Sequence, residues 1–159
     1  MNVTHGNGKA EGGVVTLEFL LLFPFIVAIL YAAGYYSVLF SWQYRMQSVV
    51  DGAVASGMYL DRSRFPEQQL GTQVRTRAYS ALTELVQDLP PSVQERLELS
   101  ADNCVTETVS AQSIVVVRCE LTMPQAALQA VLPSLTFGFL GRFPPAPSNG
   151  IRASAQVAF

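Results

Sequence analysis

Gly13-Val14-Val15-Thr16-Leu17-Glu18-Phe19-Leu20-Leu21-Leu22-Phe23-Pro24-Phe25-Ile26-Val27-Ala28-Ile29-Leu30-Tyr31-Ala32-Ala33-Gly34-Tyr35-Tyr36-Ser37-Val38-Leu39-Phe40 is the stretch on which the fold turns. From Phe19 to Phe40 it runs for 22 residues without a charge. At about 1.5 Å per residue a helix of that length extends about 33 Å, enough to cross a bilayer core of about 30 Å. The alternative is a buried helix of a soluble protein. The roughly 100 residues that remain are too few to cover an apolar rod this long. The segment is also longer than the apolar region of a secretory signal peptide, about 7–15 residues. Its nearest small-residue cleavage site, Ala32-Ala33-Gly34, is followed by more apolar chain and not by a polar mature start.

Composition agrees with an anchored protein. Apolar residues make up 50% of the 159 and charged residues only 14%, well under the quarter that soluble domains carry. The net charge of −2 provides no basic excess to neutralise phosphates, so nucleic acid is not an expected partner. His5 is the only histidine and Lys9 the only lysine. If the first residues are removed, the mature chain lacks both. Ser-His-Asp and Cys-His catalysis, histidine metal sites, Schiff bases and a P-loop lysine are then excluded. No cofactor and no metal are expected. Trp42, Tyr44 and Arg45 follow the apolar run as an interfacial anchor, with Arg62 and Arg64 further on. Charge bias alone leaves the topology open.

Glu18 stands at the end of the apolar run, where an ionised carboxylate near hydrocarbon is costly: either it lies solvated in the headgroup region or it serves a function. Its setting is specific. A polar stretch ends in Gly13, and Glu18 is fifth counting from Val14. Glu18-Phe19-Leu20-Leu21-Leu22-Phe23-Pro24 follows the pattern E-F-x-x-x-x-P, and Gln43 to Gly57 is rich in small residues. On these residues the chain resembles the TadE-like pseudopilins, minor pilin-like subunits of the tight-adherence (Flp-type) pilus systems of bacteria, with a type IV prepilin N-terminus. The resemblance covers roughly residues 10–60. It implies a leader over 1–13 and a cut by a prepilin peptidase between Gly13 and Val14. It also implies partners among other pilin-like subunits and the pilus assembly machinery, an anchor in inner-membrane lipid, and a periplasmic C-terminal domain. It assigns Glu18 to subunit docking, by pairing with the free N-terminal amine of a neighbouring subunit. Pro24 frees the carbonyl of Leu20 and is expected to kink the membrane helix.

The rest of the chain predicts an α+β domain. Met46, Val49, Val50, Ala53, Val54 and Gly57 recur at helical spacing, extending one helix over about 14–60 with its span at about 19–40. After a break at Asp61 to Pro66, Leu70, Val74, Ala78, Leu82, Leu85 and Leu89 mark a second helix, stopped by Pro90-Pro91. The period then falls to two. Strands are expected at Arg96 to Ala101, at Cys104 to Val109, at Ser113 to Met123 and at Ile151 to Phe159, with a short apolar piece from Leu135 to Leu140. The sheet is expected to be antiparallel, and 61–159 forms one domain. Cys104 and Cys119 enclose 14 residues between neighbouring strands. In an oxidising compartment they are expected to form a disulfide, the alternative being two reduced core thiols.

Three functions compete at this level. A non-catalytic pilin-like assembly subunit comes first, and an uncut signal-anchored envelope scaffold or ligand-binding protein second. A membrane-tethered hydrolase using acids among Glu95, Glu98, Asp102, Glu107 and Glu120 comes last, because scattered acids on a small sheet ordinarily form a solvated face.

Overall fold

A computed structural model describes residues 11–109, 114–138 and 141–158. Residues 1–10, most of the expected leader, lie outside it. The chain divides into two compact units, one ending at Ser37 and one running from Val38 to Phe159.

Helix α1, Glu11–Gly57, is 47 residues long and continues through Pro24. Its character changes along its length. From Val15 to Val27 every residue is exposed, whereas Leu39, Met46, Val49, Val50, Ala53, Val54 and Gly57 form a buried stripe at three- and four-residue spacing. Such a stripe is how an amphipathic helix joins a core. Helix α2, Glu67–Val86, buries Val74, Ala78, Leu82 and Val86, four residues apart along one face. Gly52 of α1 lets the two helices approach, since a Cβ there would stand 3.0 Å from Leu85 Cδ1. Arg77 Nε donates to the Ser56 carbonyl at 3.1 Å, placing a cation at the C-terminal end of α1, where carbonyls lack intrahelical donors.

The fold class is α+β. Strands β1 (Cys104–Val109), β2 (Ile114–Met123) and β5 (Ile151–Ala158) form an antiparallel sheet in the order β1-β2-β5. The alternation read from β2 and β5 has a direct structural meaning. Val117, Cys119, Leu121, Met123, Ile151 and Ala153 turn inward and are buried, whereas Arg118, Arg152, Ser154 and Gln156 turn outward. Helix α2 packs on β1 and β2, with Gly71 against Val115. Cys104 and Cys119 are register partners and form a fully buried disulfide with 4.1 Å between their Cα atoms.

Three elements differ from the sequence expectation. Arg96 to Ala101 forms no strand. The chain makes a short helix α3 (Pro91–Gln94), buries Leu97, and enters a 3₁₀ turn at Ala101–Asn103. The Asn103 side chain takes the place of a ladder bond there, donating to the Glu120 carbonyl at 2.8 Å. Gln125–Val131 is a helix, α4, begun after Pro124 and built from strong helix formers. Leu135–Phe137 (β3) and Gly141–Phe143 (β4) form a separate two-stranded hairpin and not a continuation of the main sheet.

Candidate functional site

The N-terminal part of α1 concentrates the features that the second unit does not use. Twelve large apolar side chains between Val15 and Leu30 are each between 46% and 70% exposed. Burying a side chain of this kind is worth about 1.5–3 kcal/mol. Left in water, the set forgoes on the order of 10–20 kcal/mol, as much as the whole stability of an ordinary domain. The helix is long and apolar enough to cross a membrane, and none of its most apolar window is buried within the fold.

Glu18 is the acidic residue of this surface. It is exposed, and no cation lies within ion-pair distance of it among the described residues. Its neighbours on the helix face, three and four positions away, include Val15, Leu21 and Leu22, which offer it no partner. Phe19 and Phe23, one turn apart on another side of the helix, hold their tilted rings with centroids 5.8 Å apart. Gly13 and Val14 lie in the helical backbone of α1, one turn before Glu18. Their side-chain surroundings lie outside the described residues. Pro24, exposed within the helix, has no N–H to give to the Leu20 carbonyl.

The second unit offers no comparable concentration of chemistry. Of the five acids weighed as catalytic, Glu95, Glu98 and Glu107 are exposed, and Asp102 lies 3.7 Å from Arg75. Glu120 is paired to Arg152 at 2.8 Å. Asp102 and Glu120 do share a shallow concavity of about 260 Å³ with Ser100, Asn103, Val105, Arg118 and Thr122. Among the described residues no three His, Cys, Asp or Glu side chains are grouped to hold a metal. Sequence reasoning missed the work of Arg75. Its Nε donates to the Cys104 carbonyl at 2.8 Å and its Nη2 to the Ala101 carbonyl at 2.9 Å, tying α2 to the entry of β1. Nothing local signals this, since the partners are main-chain atoms 26 and 29 residues away.

Comparison with family models, with curated proteins and with solved structures returns no match, so the reading of this site rests on its own residues.

Proposed function

We propose that the chain is a pilin-like assembly subunit of the TadE-like class, anchored in the bacterial inner membrane by the first part of α1 and acting structurally, not catalytically. The observation that carries this reading is the exposed apolar stretch Val15–Leu30 of α1, interrupted by one carboxylate, Glu18, fifth from Val14 and without an ion pair among the described residues. Lipid solvates the apolar surface when the subunit is stored, and neighbouring helices cover it after assembly. In the first state the carboxylate has no partner on another subunit, and in the second it has a specific one. A prepilin peptidase cutting after Gly13 exposes an amine at Val14. In an apolar bundle the attraction between that amine and a neighbour's Glu18 is far larger than in water. The disulfide agrees with a domain on the periplasmic side, where thiols are oxidised.

One observation favours the second reading, an uncut signal-anchored envelope protein. Helix α1 starts at Glu11 and passes through the Gly13–Val14 bond without a break. Coexpression with a prepilin peptidase, followed by N-terminal sequencing of the membrane-extracted protein, separates the two. A start at Val14 is expected. An intact Met1 supports the uncut anchor, and a start beyond Ala33 sinks both readings.

A further inference from the structure

Strand β1 is an edge of the main sheet, and one hydrogen bond reveals which of its peptide groups are open. In an antiparallel ladder, residues alternate between pairing across and turning both N–H and C=O away. Arg75 Nε takes the Cys104 carbonyl, which therefore points away from β2. The 4.1 Å between the Cys104 and Cys119 Cα atoms agrees, since the non-hydrogen-bonded pair is the narrow one, near about 4.5 Å. So does the Glu120 carbonyl, which points to the β1 side and receives Asn103 Nδ2. Stepping by two, the N–H and C=O of Thr106 and of Thr108 also turn outward. Among the described residues nothing reaches the outward groups of Thr106.

The two edges of the sheet are treated differently. On β5 the outward Ser154 carbonyl is taken by Gln47 Nε2 from α1 at 3.1 Å. On β1, among the described residues, Arg75 takes the Cys104 carbonyl and nothing takes the outward groups of Thr106. Beyond it Val105-Thr106-Glu107-Thr108-Val109 has four β-branched residues and no proline, lysine or glycine. Edges of this composition are templates for another strand unless a charge prevents it.

Glu107 is that charge, exposed on the outward face and without an ion pair among the described residues. Consider two copies joined β1 to β1. The register that pairs Thr106 with the second copy's Thr108 uses all the outward groups, and it sets the two Glu107 carboxylates directly opposite each other in a narrow pair. Like charges so placed are destabilising. A register centred on Thr106 needs the Cys104 carbonyl that Arg75 already holds. A register centred on Thr108 runs past the end of β1. The edge is open to strands but closed to its own copy.

We propose that the outer edge of β1 docks an extended segment of a different polypeptide, added as an antiparallel fourth strand with a lysine or arginine opposite Glu107. Main-chain bonds at Thr106 and Thr108 hold the segment. Glu107 selects it, because the residue opposite occupies the close, non-hydrogen-bonded position.

The test uses the full chain in detergent with its disulfide intact. The probes are short fluorescent peptides of alternating threonine and valine with lysine, glutamine or glutamate at the centre, titrated by anisotropy. The lysine peptide is expected to bind about three- to tenfold more tightly than the glutamate peptide, with glutamine between. Glu107→Lys, at an exposed position, is expected to reverse that order. Thr106→Pro removes an N–H that no β1–β2 bond uses, and is expected to weaken every peptide about fivefold. If Thr106→Pro unfolds, the charge reversal decides alone. Equal affinities for the lysine and glutamate peptides, an unreversed order in Glu107→Lys, or a wild-type dimer abolished by Thr106→Pro overturns the proposal.

Discussion

Breaking the Cys104–Cys119 bridge tests the whole account of the second unit. The perturbation is the double change Cys104→Ala with Cys119→Ala, compared with reduction of the wild-type protein under mild denaturation. The bridge closes a sequence separation of 15 residues, for which the chain-entropy model assigns about 3 kcal/mol. Both cysteines are fully buried, between Val117, Leu121 and Met123 of the same inward face. Losing the two sulfurs therefore removes core volume as well, at about 1 kcal/mol each when the site partly collapses. The double alanine variant is expected to lose about 4–5 kcal/mol and reduction alone about 3. For a unit of this size that corresponds to a fall in Tm of very roughly 10–20 °C for the variant. Circular dichroism melts of the full chain in detergent, with and without reductant, measure both. The β1–β2 hairpin itself brings the cysteines opposite each other, so native geometry is not expected to change. A shift below about 4 °C, or equal melting of reduced and oxidised protein, refutes the assignment of the bridge as the main staple of this sheet.

Other outcomes follow from single contacts. Gly150 has φ +71°, and a Cβ there would stand 2.1 Å from the Met123 carbonyl oxygen, so Gly150→Ala is expected to cost about 3 kcal/mol or more in a chemical-denaturation midpoint. Arg75→Ala frees two carbonyls and is expected to cost about 1–3 kcal/mol, with hydrogen exchange at β1 rising before that at β5. The Asp61 carboxyl is held below its ordinary value of 3.8 by bonds from the Ser63 hydroxyl and the Ser63 N–H. Its stabilisation of the Arg62–Arg64 turn is present above that value and lost as pH falls below it, which an amide shift at Ser63 followed by NMR would register. Glu18→Ala and Glu18→Gln are expected to be processed and inserted normally, to leave the melting of the second unit unchanged, and to remain in the membrane fraction instead of entering pili. If both variants assemble like wild type, the charge-pair mechanism is wrong.

The fold was legible where one physical signal acted alone. The period-two alternation of Ile114–Met123 and Ile151–Ala158 and the spaced stripe from Val74 to Leu82 each follow from burial of one face, and the apolar run follows from length and composition alone. It was illegible where alternation was short. Leu97 and Leu99 look like two steps of a strand, yet Leu97 is buried and Leu99 is 41% exposed, and β1 begins only at Cys104. Helix α4 went unread because only Leu128 anchors it, too little to form a stripe. At the candidate site the residues themselves were visible, since spacing from Gly13 to Glu18 is a property of sequence. The edge chemistry of β1 was not, because it depends on which peptide groups Arg75 leaves uncovered.

Helix α1 presents two kinds of surface, and on the proposed reading the difference explains why a single carboxylate would matter. Its second part has a polar side and a buried side, so packing in the second unit fixes its rotation and axial position. Its first part is apolar all round and carries no such instruction. Apolar contact is non-directional and roughly proportional to area, so neighbouring helices of this kind could slide or turn with little change in energy. One charge removes that degeneracy. If Glu18 meets a neighbour's amine, the bundle gains a paired ion. In any other register it holds two unpaired ions, each costing several kcal/mol in apolar surroundings, or a pair closed within one subunit that sets no register. A nearby competitor exists on the same chain, because a new amine at Val14 stands only one turn, about 6 Å along the axis, from its own Glu18. Pairing within the subunit suits the stored state and pairing between subunits suits the assembled one. Exchange between the two is nearly neutral in charge count, so the apolar area gained on docking can drive it. Glu18→Asp separates the roles. Its carboxylate is retained but withdrawn by one methylene, so insertion and processing should be normal while incorporation falls, and assembly at the wild-type level would show that charge alone, without reach, sets the register.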